Sequence, residues 1–319
     1  MKCLVTGCAG FIGSNLVDRL LSMDNEVVGL DNLSTGKMEF IENAVGNEKF
    51  NFFECDLYCD DITKYFHGID VVFHLAANAD VRFGTNHPRK DLEQNTIVTY
   101  NVLESMRANN VQKIVFSSTG SVYGESKVIP TPENGPFPIQ TSLYGASKAA
   151  CEGLISSYCE GFGFQSWIYR FVSILGERYT HGHLFDFYKK LSIDMSNLDV
   201  LGDGKQKKSY LYIQDCIDGI LIGLRNAKDK VNIMNLGTDE FCEVNDSIKI
   251  LCKYLNVDPK LHYSGGNKGW IGDNPFIYLD IKKMRSLGWQ PKYTIAEGII
   301  KTIDYLDNNK WVFKDKNNL

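Results

Sequence analysis

The sequence predicts an α/β chain, a doubly wound parallel sheet with a smaller α/β lobe appended. A short apolar run, Lys2 to Val5, meets a glycine turn from Gly7 to Gly13 and then an amphipathic stretch, Ser14 to Leu21. That order reads as strand, turn, helix. Apolar runs recur at Glu26 to Leu30, Phe50 to Glu54, Asp70 to Leu75 and Lys113 to Ser117, with polar or helical sequence between them. Buried strands of a parallel sheet look like this. The length, 319 residues, exceeds one typical domain, so a large domain with a second lobe is expected.

The first turn already carries chemistry. Gly7 permits the tight turn, Gly10 lets a pyrophosphate approach the backbone, and Gly13 lets the helix pack on the strand. Phe11 and Ile12 fall between the last two glycines, at a helix N-terminus that favours phosphate charge. The spacing is G-x-x-G-x-x-G rather than G-x-G-x-x-G. The second strand ends in Asp31, and an acid there accepts hydrogen bonds from adenosine ribose hydroxyls and repels a 2′-phosphate. Asn32, not arginine, follows, so NAD is favoured over NADP. The fold is therefore read as a Rossmann-type sheet.

In such sheets ligands lie outside the carboxyl ends of the strands. The residues just beyond them are Asp56-Leu57, Ala76-Ala77-Asn78-Ala79 and Ser118-Thr119. The small residues after Leu75 would admit a flat cofactor or simply pack a tight loop. Further on, Y-G-A-S-K places Tyr144 and Lys148 four residues apart, on one face of a helix. An ammonium beside a phenol is expected to stabilise the phenolate and lower its pKa from near 10, making Tyr144 a candidate base. Most isolated pairs of this kind are solvated helix faces; the cofactor signature upstream raises this one above that reading.

The residues T-G-C-A-G-F-I-G (Thr6 to Gly13), D-N-L-S-T-G (Asp31 to Gly36), Asp56-Leu57, H-L-A-A (His74 to Ala77), Asn95, F-S-S-T-G-S-V-Y-G (Phe116 to Gly124), Y-G-A-S-K and G-D-G-K-Q (Gly202 to Gln206) follow in this order. With them the chain resembles the extended short-chain dehydrogenases/reductases, and within these the nucleotide-sugar 4-epimerases, from Lys2 to about Leu306. The resemblance implies a catalytic Tyr144, a Lys148 that also binds the nicotinamide ribose, and a Thr119 hydroxyl on the sugar O4. It places the adenosine on Asp31, Asn32 and Ser34-Thr35-Gly36, with Asp56-Leu57 bordering the adenine. Leu75, Ala76, Ala77, Ala79, Asn95, Ser117 and Phe171 would complete the cofactor site. The implied chemistry is proton removal from a sugar hydroxyl by Tyr144 with hydride transfer to NAD, a transient 4-keto sugar, and return of the hydride to its other face.

Related 4,6-dehydratases carry an Asp-Glu pair after the position of Thr119, and decarboxylating relatives a glutamate. This chain has Gly120 and Ser121, neither of which can do general acid or base work. Oxidation followed by re-reduction is the remaining chemistry. In the substrate half the chain departs from the family pattern. The phosphate-contacting asparagine is replaced by Ser173. One diphosphate arginine falls at Lys208, which keeps charge and loses the bidentate fork; another falls at Trp270, two residues after Lys268. Tyr210 follows in K-K-S-Y, and the sugar-gating position falls near Ile277.

The domains are expected at residues 1–172 for NAD, with later segments returning to it, and 173–319 mainly for the nucleotide sugar. Helix-like stretches in the second part are Gln214 to Arg225, Glu243 to Leu255 and Ile295 to Leu306. A net charge of −5 argues against a nucleic-acid surface, and the basic run Lys205 to Lys208 is favoured as a diphosphate clamp over a solvated loop. Nine cysteines without C-x-x-C, no signal peptide and no long apolar run read as reduced thiols in a cytoplasmic enzyme with no membrane partner. Cys55 and Cys59 read as packing rather than a metal pair, and no metal is expected. His181 and His183 are assigned a substrate-loop or surface role. Asp91 to Ala108 and Leu143 to Tyr158 read as long helices; the family resemblance makes them a homodimer interface, although both could pack within one subunit.

The favoured function is NAD-dependent C4 epimerisation of UDP-glucose/UDP-galactose or a derivative. The alternative is another nucleotide-sugar epimerase or oxidoreductase with a different nucleotide or a uronic or deoxy sugar. A non-catalytic NAD-binding sensor is the rival from another class, and the presence of Thr119, Tyr144 and Lys148 together speaks against it.

Overall fold

The computed structural model describes residues 1–78, 81–135, 139–269, 274 and 276–314. Its main sheet has seven strands: β1 (Lys2–Thr6), β2 (Glu26–Asp31), β3 (Phe50–Glu54), β4 (Val71–His74), β5 (Lys113–Thr119), β6 (Gln165–Phe171) and β11 (Val231–Leu236). The spatial order is β11-β6-β5-β4-β1-β2-β3 and every pairing is parallel. The order reverses between β1 and β4, the switch point where such sheets open a ligand crevice. Register lines up the strand ends there, Thr6 opposite both Leu30 and His74, and Thr119 opposite Phe171.

Both faces of the sheet are covered. In β1, Cys3 and Val5 point to one face and Leu4 to the other. The first pair joins a core with Leu16, Val17 and Leu20 of helix α1 (Phe11–Ser22). Leu4 joins Val102 and Met106 of α2 (Val98–Ala108) and Cys151 and Ile155 of α3 (Leu143–Phe162). Burial of these apolar side chains, about 1.5–3 kcal/mol for each large one, is what selects parallel strands with continuous apolar runs.

After β6, on both sides of β11 in the sequence, the chain builds a second set of small sheets. These comprise β7 (Ser173–Leu175) with β10 (Tyr210–Tyr212), and β8 (Asn197–Val200) with β13 (Lys260–Tyr263). The third contains β12 (Cys242–Glu243), β9 (Lys207–Lys208) and β14 (Phe276–Ile277). Helices α4 (His183–Ile193), α5 (Ile213–Asn226), α6 (Val244–Leu255) and α7 (Ile295–Asn308) surround them. The structure extends the expected helices by a few residues at their ends. The stretch before α2 differs more, because Leu92–Ile97 is π-helical, and such segments are frequent at functional sites. Among the described residues no helix is long and apolar enough to cross a membrane.

Candidate active site

The phosphate end is built from backbone contact. Gly7 takes φ +68°, and a Cβ there would meet the Ala76 nitrogen at 2.8 Å. A Cβ on Gly13 would lie 2.0 Å from the Gly7 carbonyl oxygen. Gly10 begins α1 with no side-chain cap, so the N–H groups of Phe11, Ile12 and Gly13 have no intrahelical acceptors and carry the positive end of the helix. At the end of β2 the buried Asp31 carboxylate accepts from the Ala9 N–H at 2.9 Å and the Leu33 N–H at 2.8 Å. Asn32 donates to Asp56 at 3.2 Å and accepts from the Ser34 N–H at 3.0 Å. Gly36 sits against Asp31, Thr35 is exposed, and Leu57 is buried.

A buried chain of hydrogen bonds holds the loop after β4. The Thr6 hydroxyl oxygen accepts from the N–H groups of Leu75 and Ala76 at 3.1 and 3.2 Å. Its own proton therefore goes to His74 Nδ1 at 2.8 Å, which leaves Nε2–H to donate to Thr99 at 3.0 Å. Thr99 passes its proton to the Asn95 carbonyl at 2.7 Å. Burial, helped by the Lys148 charge, pushes the His74 pKa down to about 3, so this imidazole is a neutral strut. Ala77 is half-buried beside the strut; Ala79 lies outside the described residues. Asn95, within the π-helical turn, accepts from the Asn78 N–H at 2.8 Å and donates to Ser147 at 2.8 Å.

Ser142 caps α3 by accepting from the Gly145 N–H at 3.0 Å, which sets Tyr144 and Lys148 one turn apart. Lys148 is 2% exposed, and its Nζ donates to the Ser117 carbonyl at 2.9 Å and lies 4.6 Å from the Phe116 ring centroid. Burial lowers its pKa from 10.5 to about 8, against the raising effect of Cys151, Glu152 and Asp91. Tyr144 differs from the sequence expectation. Burial pushes its phenol well up, the Asp91 charge adds to that, and the Thr119 side chain opposes it. Burial outweighs the attraction expected from Lys148, whose ammonium is engaged by the Ser117 carbonyl. Thr119 also accepts from the Ser121 N–H at 3.1 Å.

Behind this face stands a pair the sequence reading passed over. Glu152 takes Arg170 in a two-point ion pair at 3.0 and 2.6 Å and accepts from Ser118 at 2.5 Å. Arg170 lies 4.6 Å from the Tyr123 ring centroid. Glu152 is one helical turn beyond Lys148, so extending the four-residue spacing by one step would have found it.

On the substrate side, Ser173 is exposed and pairs in register with Tyr210, while Ile277 pairs with Lys208. Lys208 Nζ donates to the Asn274 carbonyl at 2.8 Å, and Asn274 in turn donates to the Gly124 carbonyl. Ile277 closes over Gly120, where a Cβ would come 2.8 Å from Ile277 Cγ2 and 3.2 Å from the Phe171 carbonyl oxygen. These residues thus converge on the Thr119 end of β5. Lys268 does not join Lys208; it pairs with Glu125 at 2.5 Å, both half exposed. Trp270 lies outside the described residues. His183 is half-buried at the start of α4 rather than on the surface, bonded to Tyr210. Cys55 is buried and Cys59 exposed.

A dinucleotide crevice with a Ser/Thr–Tyr–Lys face at its open edge defines an extended dehydrogenase-type enzyme. The chain belongs to the NAD dependent epimerase/dehydratase family, whose model matches residues 3–237. It is 36% identical to a putative UDP-glucose 4-epimerase of Methanocaldococcus jannaschii, over 96% of this chain and 98% of that one. Among solved structures it is similar to the UDP-glucuronic acid 4-epimerase of Bacillus cereus in complex with UDP-glucuronic acid and NAD. That match has 30% identity, 97% and 99% coverage and a TM-score of 0.89. It also matches a UDP-N-acetylglucosamine 4-epimerase of Methanobrevibacter ruminantium, at 27% identity, 97% and 98% coverage and a TM-score of 0.87.

NAD is the cofactor of this family, and the residues present fit it. The uncapped α1 N-terminus suits a pyrophosphate. The carboxylate at the end of β2 suits a ribose diol and opposes a 2′-phosphate.

Proposed function

We propose that the enzyme epimerises a nucleotide-diphosphate sugar at C4, with UDP-glucose/UDP-galactose or a close derivative as substrate. The observation that carries this is Tyr144 one helical turn from the buried Lys148, with the Thr119 side chain acting on the phenol and Gly120 and Ser121 after Thr119 in place of any carboxyl group. Bound NAD supplies the hydride acceptor and donor. Tyr144 takes the proton of the sugar hydroxyl, directly or through Thr119, which can both donate and accept. The high phenol pKa means that the proton leaves Tyr144 only when positive charge is brought close, and Lys148 is the chain's own source of it. Ile277 and the Phe171 carbonyl close over Gly120 so tightly that a Cβ there would meet them at 2.8 and 3.2 Å; a catalytic acid has no room at that position, so elimination is not supported and a 4-keto sugar has reduction as its way forward.

In this reading Phe11, Ile12, Asn32, Ser34, Thr35, Asp56, Ala77, Ala79, Asn95, Ser117 and Phe171 join the glycines and Asp31 in the cofactor site. Ser173, Lys208, Tyr210, Lys268, Trp270 and Ile277 serve the nucleotide sugar. Residues 1–172 with the returning β11 form the NAD lobe, and most of 173–319 the substrate lobe. We place a homodimer contact on α2 and α3, supported by the exposed Tyr100, Leu143 and Phe162, and the enzyme in the cytoplasm, supported by its unpaired thiols.

The test is proton NMR of the anomeric region after incubation with UDP-galactose and no added reductant. Appearance of UDP-glucose supports C4 epimerisation with recycled NAD. An unchanged spectrum with NAD bound rejects this substrate and directs the search to UDP-glucuronic acid and UDP-N-acetylglucosamine.

A further inference from the structure

His183 has no part in the function proposed above, yet its surroundings are built. Its ring stacks on Tyr210 with centroids 5.1 Å apart and planes at 26°, and Nδ1 lies 3.0 Å from the Tyr210 hydroxyl. Phe187, one turn along α4, meets it edge-on at 5.6 Å. Lys208 ends β9 and Tyr210 begins β10 two residues further on, and the Lys208 charge acts on the imidazole. The groups that act on the imidazole from those strands are Tyr210, in contact with it, and Lys208, through its charge. On its own side of the fold, His181 stacks on Tyr179 instead, and the Asp186 charge acts on Tyr179.

We propose that His183 is a specificity-determining residue for the substrate diphosphate, taking up a proton as the anion arrives and supplying a second cation beside Lys208. The inference rests on the reading of Lys208 and Tyr210 as diphosphate-sugar residues. In the ligand-free site burial, and then the Lys208 charge, hold His183 neutral with a pKa of about 3. A diphosphate beside Lys208 reverses the sign of the local field, and opposite charge favours the ionised imidazole. The need for a second cation is visible nearby, because Ser173 brings no charge and Lys268 is engaged by Glu125.

The experiment is calorimetric titration of the NAD-loaded protein with UDP, GDP and dTDP in buffers of different ionisation enthalpy, with uridine as the control lacking a diphosphate. Wild type should take up protons with whichever diphosphate binds, and none with uridine. Its diphosphate affinity should rise as pH falls from 8 to 6. His183→Gln and His183→Phe should abolish the uptake and weaken diphosphate binding about 10–100-fold, the range of one charged hydrogen bond. The wild-type pH profile needs no variant to fold. Diphosphate binding with no uptake, or with uptake unchanged in both variants, overturns the role of His183 alone. Failure of all three diphosphates to bind NAD-loaded wild type overturns the subsite reading and this inference with it.

Discussion

Replacing Lys148 with methionine separates two roles that one side chain holds at once. The ammonium is almost fully buried, with one carbonyl partner at 2.9 Å. Its pKa falls from 10.5 to about 8 because burial penalises the charge. At about 1.4 kcal/mol per pH unit this corresponds to about 3 kcal/mol of destabilisation of the folded protein wherever the side chain is charged in both states. The folded pKa lies below the unfolded one, so the unfolded chain holds more protons between pH 8 and 10.5 and stability rises with pH across that window. Below pH 8 the full penalty is present. Methionine removes the penalty and also the charged hydrogen bond to Ser117, worth about 1.5–3 kcal/mol, so at pH 7 the two proteins should differ by no more than about 1–2 kcal/mol. By pH 10 wild type should have gained about 2–3 kcal/mol relative to Lys148→Met. Urea unfolding of both proteins from pH 7 to 10 measures the difference, in which the titrations of the buried cysteines and tyrosines cancel. Turnover of the variant should drop about 10²–10⁴-fold. A stability difference that stays flat over this range would refute the assignment of a desolvated ammonium to Lys148.

Tyr144→Phe should remove turnover by about 10²–10⁴-fold while leaving bound NAD in the purified protein; retained activity would show that another group moves the proton. Two glycines make a contrasting pair. Gly13→Ala drives a Cβ to 2.0 Å from a backbone oxygen and should abolish NAD retention and lower the melting temperature sharply. Gly153→Ala, with nothing within 4 Å in the middle of α3, should stabilise by about 0.5–1 kcal/mol. The His74 imidazole, neutral with its pKa pushed down to about 3, makes stability fall as pH drops from about 6.5, because the unfolded state takes up its proton first. His74→Asn should flatten that acid limb in a thermal-melting series between pH 7 and 4.

Short-range pattern was enough for the cofactor half. Apolar runs, glycine spacing and an acid at a strand end are local features, and each maps onto β1, the first turn and β2 because backbone sterics and helix termini act over a few residues. Tyr144 and Lys148 were legible for the same reason, one helical turn being a local distance. What the sequence could not set was the balance between burial and charge at each of them. Lys148 turns to the Ser117 carbonyl 31 positions away in the chain, and at both side chains desolvation outweighs the attraction that four-residue spacing suggests.

The strands β6 and β11 also escaped local reading. Gln165 to Phe171 mixes Gln, Ser and Arg with aromatics, and those polar residues are accommodated only because Glu152 waits for Arg170 and the Lys228 and Asp229 carbonyls take Gln165. The substrate side depended on tertiary structure most of all. Ser173, Lys208, Tyr210 and Ile277 come together through strands of two or three residues whose pairing spans the whole second lobe, and His183 gains its meaning from Tyr210 across 27 positions. Amino-acid order by itself determined the fold class, the cofactor and the placing of Tyr144 and Lys148 one helical turn apart, since those follow from periodicity, turn chemistry and helix geometry. The direction of the pKa shifts and the grouping of Ser173, Lys208, Tyr210 and Ile277 were decided by packing, because burial and charge act between groups that only the folded chain makes neighbours.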